Sequence, residues 1–151
     1  MEYKLDEKDE KIIQILKEHS DYTTRQIAQK LLLPITTIHN RIKKLKKEKI
    51  IKKFTIELDN KKIAKLFSAI ILVSVDYEAL RELKKDQHKL AKEISYLKDV
   101  ESVDIVTGGT DIVVKVRLKD VEEYDNFLLK KFQNIPGVDK TQSLVVIHEN
   151  Q

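Results

Sequence analysis

The stretch ITTIHNRIKKLKKEKIIKK, Ile35 to Lys53, decides how the rest of the chain is read. Its nineteen residues carry Arg41, Lys43, Lys44, Lys46, Lys47, Lys49, Lys52 and Lys53 against the single acid Glu48, a net charge of +7 in a protein whose total is +4. The apolar residues Ile35, Ile38, Ile42, Leu45, Ile50 and Ile51 recur with a 3.6-residue period. One stripe of a helix therefore packs inward, while Thr36, Thr37, His39, Asn40, Arg41, Lys43 and Lys44 face out. Lysine and arginine neutralise phosphates, and arginine and asparagine can bond base edges bidentately, so such a face suits a DNA groove. The charges alone leave open a solvated surface helix of a lysine-rich protein.

The residues before this stretch break that tie. Acids at Asp6, Glu7, Asp9 and Glu10 open a first helix where its dipole favours them, and Ile12, Ile13, Ile15 and Leu16 form its buried stripe. A second start follows at Thr23-Thr24, with Gln26 three residues after Thr23 as in a capping box, and Ile27, Ala28, Leu31 and Leu32 complete a short helix. Pro34 then drives Leu33 out of the helical region and the chain turns. A short helix, a tight turn and a basic helix form a helix-turn-helix, whose second helix is the reader. Small Ala28 lets the two helices approach closely.

Beyond the basic helix, Phe54 to Leu58 alternates like a half-buried strand, and Asp59-Asn60 leads into a connector. SAIILVSVDY from Ser68 has the β-branched texture of a central strand, and Glu78 to Leu97 has helical spacing. Val100 to Val106 and Ile112 to Leu118 read as strands around the TGGTD turn. Val121 to Phe132 reads as a helix, and Thr141 to His148 as a last strand. The order β-α-β-β-α-β predicts an α+β, ferredoxin-like sheet with both helices on one face. The organisation expected is a helix-turn-helix domain over 1–53, a linker strand and connector over 54–66, and the ferredoxin-like domain over 67–151. The charge divides with it: residues 1–66 hold 17 Lys+Arg and 10 Asp+Glu, whereas 67–151 hold 12 and 15.

This organisation resembles the Lrp/AsnC family, the feast/famine transcriptional regulators of prokaryotes and archaea. The matching motifs are DEKDEKIIQIL, IAQKLLLP, IHNRIKKLKKEKII, TGGTDIVV and IPGVDKTQS, in this order and spacing across nearly the whole chain. Two positions depart from the family pattern. Lys49 stands where a glycine is usual, and no glycine follows the linker near Leu66. The resemblance implies a winged helix-turn-helix reader and a C-terminal domain for dimerisation, further assembly to a tetramer or octamer, and binding of an amino-acid effector. Two arguments from the residues agree with it. SAIILVSV is too apolar to leave one sheet face wet, and a two-fold dimer offers two reading helices to two half-sites.

Within the reader, Thr36, Thr37, His39, Asn40 and Arg41 are expected near base edges or adjacent phosphates, and Lys43, Lys44 and Lys47 mainly on phosphate. For the effector, Thr107-Gly108-Gly109-Thr110-Asp111 offers backbone N–H groups to a carboxylate and Asp111 to an ammonium, with Thr141 and Ser143 as further hydroxyl contacts; a plain hairpin turn is the alternative. Catalysis finds no support. The four histidines are scattered, there is no cysteine, and no nucleophile, metal or phosphate-cradling motif occurs. The expected protein is therefore a cytoplasmic, nucleoid-associated DNA-binding regulator, without enzymatic activity, metal or membrane segment. A sensor with only non-specific, architectural DNA binding is the alternative.

Overall fold

The computed structural model describes residues 3–149, and the chain divides into two compact units, residues 1–58 and 59–151. The first unit is three helices: α1 (Glu7–Glu18), α2 (Thr24–Leu31) and α3 (Ile35–Lys47). Both expected starts carry complete capping boxes. Asp6 accepts from the backbone of Asp9 and Thr23 from that of Gln26, and in each case the third residue bonds back to the cap. Ile12, Ile15, Leu16, Ile27, Ala28, Ile38 and Leu45 form the core. Each large aliphatic side chain buried there contributes about 2 kcal/mol.

Two details of this unit differ from the sequence expectation. Leu32, expected within the second helix, lies just past its end, 91% exposed in a left-handed conformation at φ 54°. With Pro34 two residues ahead the helix must close, and the Leu33 N–H returns to the Ala28 carbonyl at 3.0 Å. Leu33 then packs on the core in place of Leu32. Phe54 to Leu58, expected as a strand, joins no ladder among the described residues. Alternation sets which side chains share a face, but a strand also needs a neighbour for its N–H and C=O groups. Here the Thr55 carbonyl accepts only the Ser20 hydroxyl, at 3.2 Å.

The second unit is a four-stranded antiparallel sheet of β1 (Phe67–Val75), β2 (Val100–Ile105), β3 (Ile112–Leu118) and β4 (Val138–Val145) in the order β2-β3-β1-β4. Ala69, Ile71, Val73, Val75, Ile112, Val114 and Val116 face the helices and form the core with Leu80, Leu90, Ile94, Phe127 and Phe132. The expected helix over 78–97 is two: α4 (Tyr77–Glu82) and α5 (Gln87–Ser95). Lys84 turns left-handed at φ 51° and Asp86 caps a new start by accepting the Lys89 N–H at 2.8 Å. The last helix, α6 (Val121–Phe127), continues through a widened π turn over Leu128–Phe132. β4 begins three residues earlier than expected. Gly137, at φ +106°, starts it from beneath Leu80, where a Cβ would come within 2.5 Å of that side chain.

Among the described residues of the second unit, no helix packs on the opposite sheet face. Along it lie Ser68, Ile70, Leu72 and Ser74 of β1, beside Val113, Lys115 and Arg117 of β3, with Gln142 and Leu144 of β4 in register. At one end Arg117 is buried against Glu101 and Glu149, the latter bonded twice, at 2.7 and 2.9 Å.

Candidate nucleic-acid interface and effector turn

Ile38, Ile42 and Leu45 hold α3 against the first unit's core. The helical period then fixes what points away. Thr36, Asn40, Lys43 and Lys47 fall at i, i+4, i+7 and i+11, a straight outward stripe, with His39 and Lys44 beside it. All six are exposed, and Thr37 is half-buried at the margin. Lys44 Nζ rests 4.5 Å from the centre of the Tyr3 ring, and Lys46 Nζ 4.8 Å from that of Phe54. An aromatic face attracts an ammonium and orients it without pairing it to an opposite charge.

Arg41, expected on the reading face, turns the other way. Its guanidinium donates to both oxygens of Asp6 at 2.7 Å and to Asp9 Oδ1 at 2.8 Å, while the Tyr3 hydroxyl donates to Asp9 Oδ2 at 2.7 Å. The Asp9 side chain is only 1% exposed. A buried carboxylate demands a charged partner, and Arg41 is 100° of helix rotation from Asn40, on the side facing α1. The hydrogen bond from Arg41 holds the Asp6 carboxyl below its ordinary 3.8, and the bond to Asp9 pushes the Tyr3 hydroxyl upward. A signal for this was present. Asp9 lies three residues before Ile12 and seven before Leu16, on the buried stripe of α1, where an acid calls for a cation from another helix. Arg25, at the start of α2, is exposed and pairs with no acid among the described residues.

At the other site, Thr107 to Thr110 form the turn between β2 and β3. Gly108 takes φ +126°, a value that favours glycine, and a Cβ on Gly108 or Gly109 would meet nothing within 4 Å. The backbone here is open to an incoming group. Asp111 departs from expectation: its carboxylate accepts the Val75 N–H at 2.8 Å and the Tyr77 hydroxyl at 2.9 Å. Its backbone donates to the Val73 carbonyl at 3.0 Å and accepts from Gln87 Nε2 at 3.0 Å. Asp111 thus fastens the turn to the end of β1 rather than standing free for an ammonium. The bond to Asp111 also raises the Tyr77 hydroxyl above its ordinary range. Thr141 and Ser143 lie in register with Val73 and Ile71. Their hydroxyls are bonded to Gln133 and Tyr124 respectively, not to the turn.

Residues 68–150 match the description "Lrp/AsnC ligand binding domain", and residues 5–52 match "winged helix-turn-helix DNA-binding". The chain belongs to the Lrp/AsnC family of transcriptional regulators. It is 36% identical over 147 residues to the HTH-type transcriptional regulator FL11 of Pyrococcus horikoshii, covering 97% of this chain and 92% of the relative. The solved structure of LrpC from B. subtilis superposes with a TM-score of 0.83 at 26% identity, covering 99% of both chains. A Neisseria meningitidis regulator solved with L-Met shares the fold, with a TM-score of 0.85 at 24% identity over 98% of this chain and 93% of that one. In Lrp/AsnC terms, the helix-turn-helix and the ligand-binding domain are both in place. The structure brings Thr36, His39, Asn40, Lys43, Lys44 and Lys47 onto one surface and removes Arg41 from it.

Proposed function

We propose that this Lrp/AsnC regulator binds duplex DNA as a dimer through the outward face of α3, and that a small amino-acid effector at the Thr107–Thr110 turn adjusts that binding. The stripe Thr36, Asn40, Lys43 and Lys47 carries the reading: it is exposed, and no acid pairs with Lys43 or Lys47 among the described residues. Lys43, Lys44 and Lys47 sit on phosphate, with Thr36, Thr37, His39 and Asn40 at the groove. Dimerisation is supported by the uncovered sheet face, where Ile70, Leu72, Val113 and Leu144 form an apolar strip. For the effector, the support is the open backbone at Gly108 and Gly109, the ligand-binding domain of the family, and the L-Met held by a protein of the same fold. The turn is exposed on a single chain, so the remaining pocket walls come from another copy. Thr141 and Ser143 have no direct part in this reading. Nor does it include catalysis or a metal, and it sets the protein on cytoplasmic, nucleoid DNA. No helix among the described residues is long and apolar enough to cross a membrane.

The test is the salt dependence of DNA binding by the full chain. Lys43→Ala and Lys47→Ala should each lower the slope of log K against log salt by about 0.9 and weaken every sequence alike. Binding that ignores salt, or that survives the combined loss of Lys43, Lys44 and Lys47, would overturn the proposal.

A further inference from the structure

On the reading that α3 enters the major groove, we propose that Asn40 is the residue that discriminates between base pairs, by pairing with an adenine edge, and that Arg41 positions the helix without reading. Two donors or acceptors fixed together are needed to single out one base pair. Within α3 itself, Ile35–Lys47, Arg41 and Asn40 carry such a pair in one planar group, whereas Glu48 lies at the helix end. Arg41, the side chain suited to guanine O6 and N7, is turned toward α1 and held there by Nη1, which donates to Asp6 and Asp9. Asn40 is exposed at the centre of the outward stripe, and its carboxamide has no hydrogen-bond partner among the described residues. An Asn amide matches adenine, donating to N7 and accepting from the N6 amino group.

The neighbours cannot substitute for it. The Thr36 hydroxyl makes contacts that several bases satisfy, and a ring N–H of His39 is accepted by the N7 of either purine. Lysines on the stripe are point charges on flexible stems that neutralise phosphate without fixed geometry. The half-site therefore contains at least one adenine whose identity matters, and no guanine specified by Arg41.

The experiment begins with selection of binding sites from a random duplex pool by the full-length protein. Each adenine of the enriched half-site is then replaced in turn by 7-deazaadenine, which lacks the N7 acceptor, and affinity is measured for the wild type, Asn40→Ala and Arg41→Ala. One adenine per half-site should lose about 5- to 150-fold in wild-type affinity, the span of a bidentate base contact. The same substitution should cost Asn40→Ala nothing. Arg41→Ala should keep the wild-type base preferences while binding all sites more weakly, and Asp6→Asn, which loosens the tether without altering α3, should behave in the same way. The proposal falls if the 7-deaza loss persists in Asn40→Ala, or if Arg41→Ala or Asp6→Asn erases preference for a guanine. If no sequence is enriched at all, specific DNA binding itself fails, and this inference fails with it.

Discussion

Asp9 is the residue that decides which way Arg41 points. A carboxylate on the inner stripe of α1 cannot be left unpaired, because stranding a buried charge costs several kcal/mol. Arg41→Ala should therefore destabilise the first unit by about 3 kcal/mol, the lower end of the range for breaking a buried pair, since Tyr3 still serves one Asp9 oxygen. Urea denaturation at neutral pH measures this, and a change under about 1 kcal/mol would mean that Asp9 reaches water when Arg41 is removed. A pH dependence accompanies it. Arg41 depresses the Asp6 carboxyl in the folded state, so its contribution is present above the ordinary value of 3.8 and disappears as pH falls through the lower folded value. Wild-type protein should lose stability on acidification below about pH 4. In Arg41→Ala that acid-side loss should be smaller, and equal acid slopes in the two proteins would remove Asp6 from the account.

At the level of elements, what could be read was whatever depends on neighbours in sequence. The first-turn acids from Asp6 to Glu10 and the spacing of Thr23 with Gln26 announced both helix starts, because such signals are complete within four or five residues. What could not be read depends on distant partners. Arg41 needed Asp9 thirty-two residues away, Phe54 to Leu58 needed a neighbouring strand the described chain does not give it, and the Asp111 carboxylate needed Val75 and Tyr77. The end of α3 lies between these cases. Lys49 adopts φ 56°, and the Ile50 N–H closes on the Leu45 carbonyl at 3.0 Å, a helix-stop motif with lysine in the position that glycine favours. A left-handed non-glycine residue costs about 1–2 kcal/mol, partly offset by the greater unfolded-state freedom of glycine. Lys49→Gly should consequently raise stability by about 0.5–1 kcal/mol in thermal denaturation. A destabilised Lys49→Gly would show that the lysine side chain contributes more than its backbone costs.

For the molecule as a whole, the uncovered sheet face and the glycine turn yield separate expectations. Leu72 sits mid-strand on that face. Leu72→Lys removes two leucines per dimer, at about 2 kcal/mol each, which is near a thousandfold in dissociation constant and should be visible by sedimentation of the full chain. An unshifted dimer would move the interface elsewhere. The effector reading rests on backbone N–H groups around Gly108 and Gly109, because a bound zwitterion needs its carboxylate matched by donors as it leaves water. A thermal-shift screen of the twenty amino acids should find one that, at a hundred times its Kd, adds about 2.7 kcal/mol of stability. For a protein of this size that corresponds to roughly 5–10 °C. Asp111→Ala is a poor control, since it cuts the turn loose from Val75 and Tyr77. Gly109→Val is better: its φ is not in the left-handed region and a Cβ there meets nothing within 4 Å, so the fold should survive while the side chain covers the donors. The shift should vanish in Gly109→Val with the unliganded melting temperature unchanged. A shift that persists in this variant would place the ligand away from the turn, and none with any amino acid at millimolar concentration would leave Gly108 and Gly109 the plain work of turning β2 into β3.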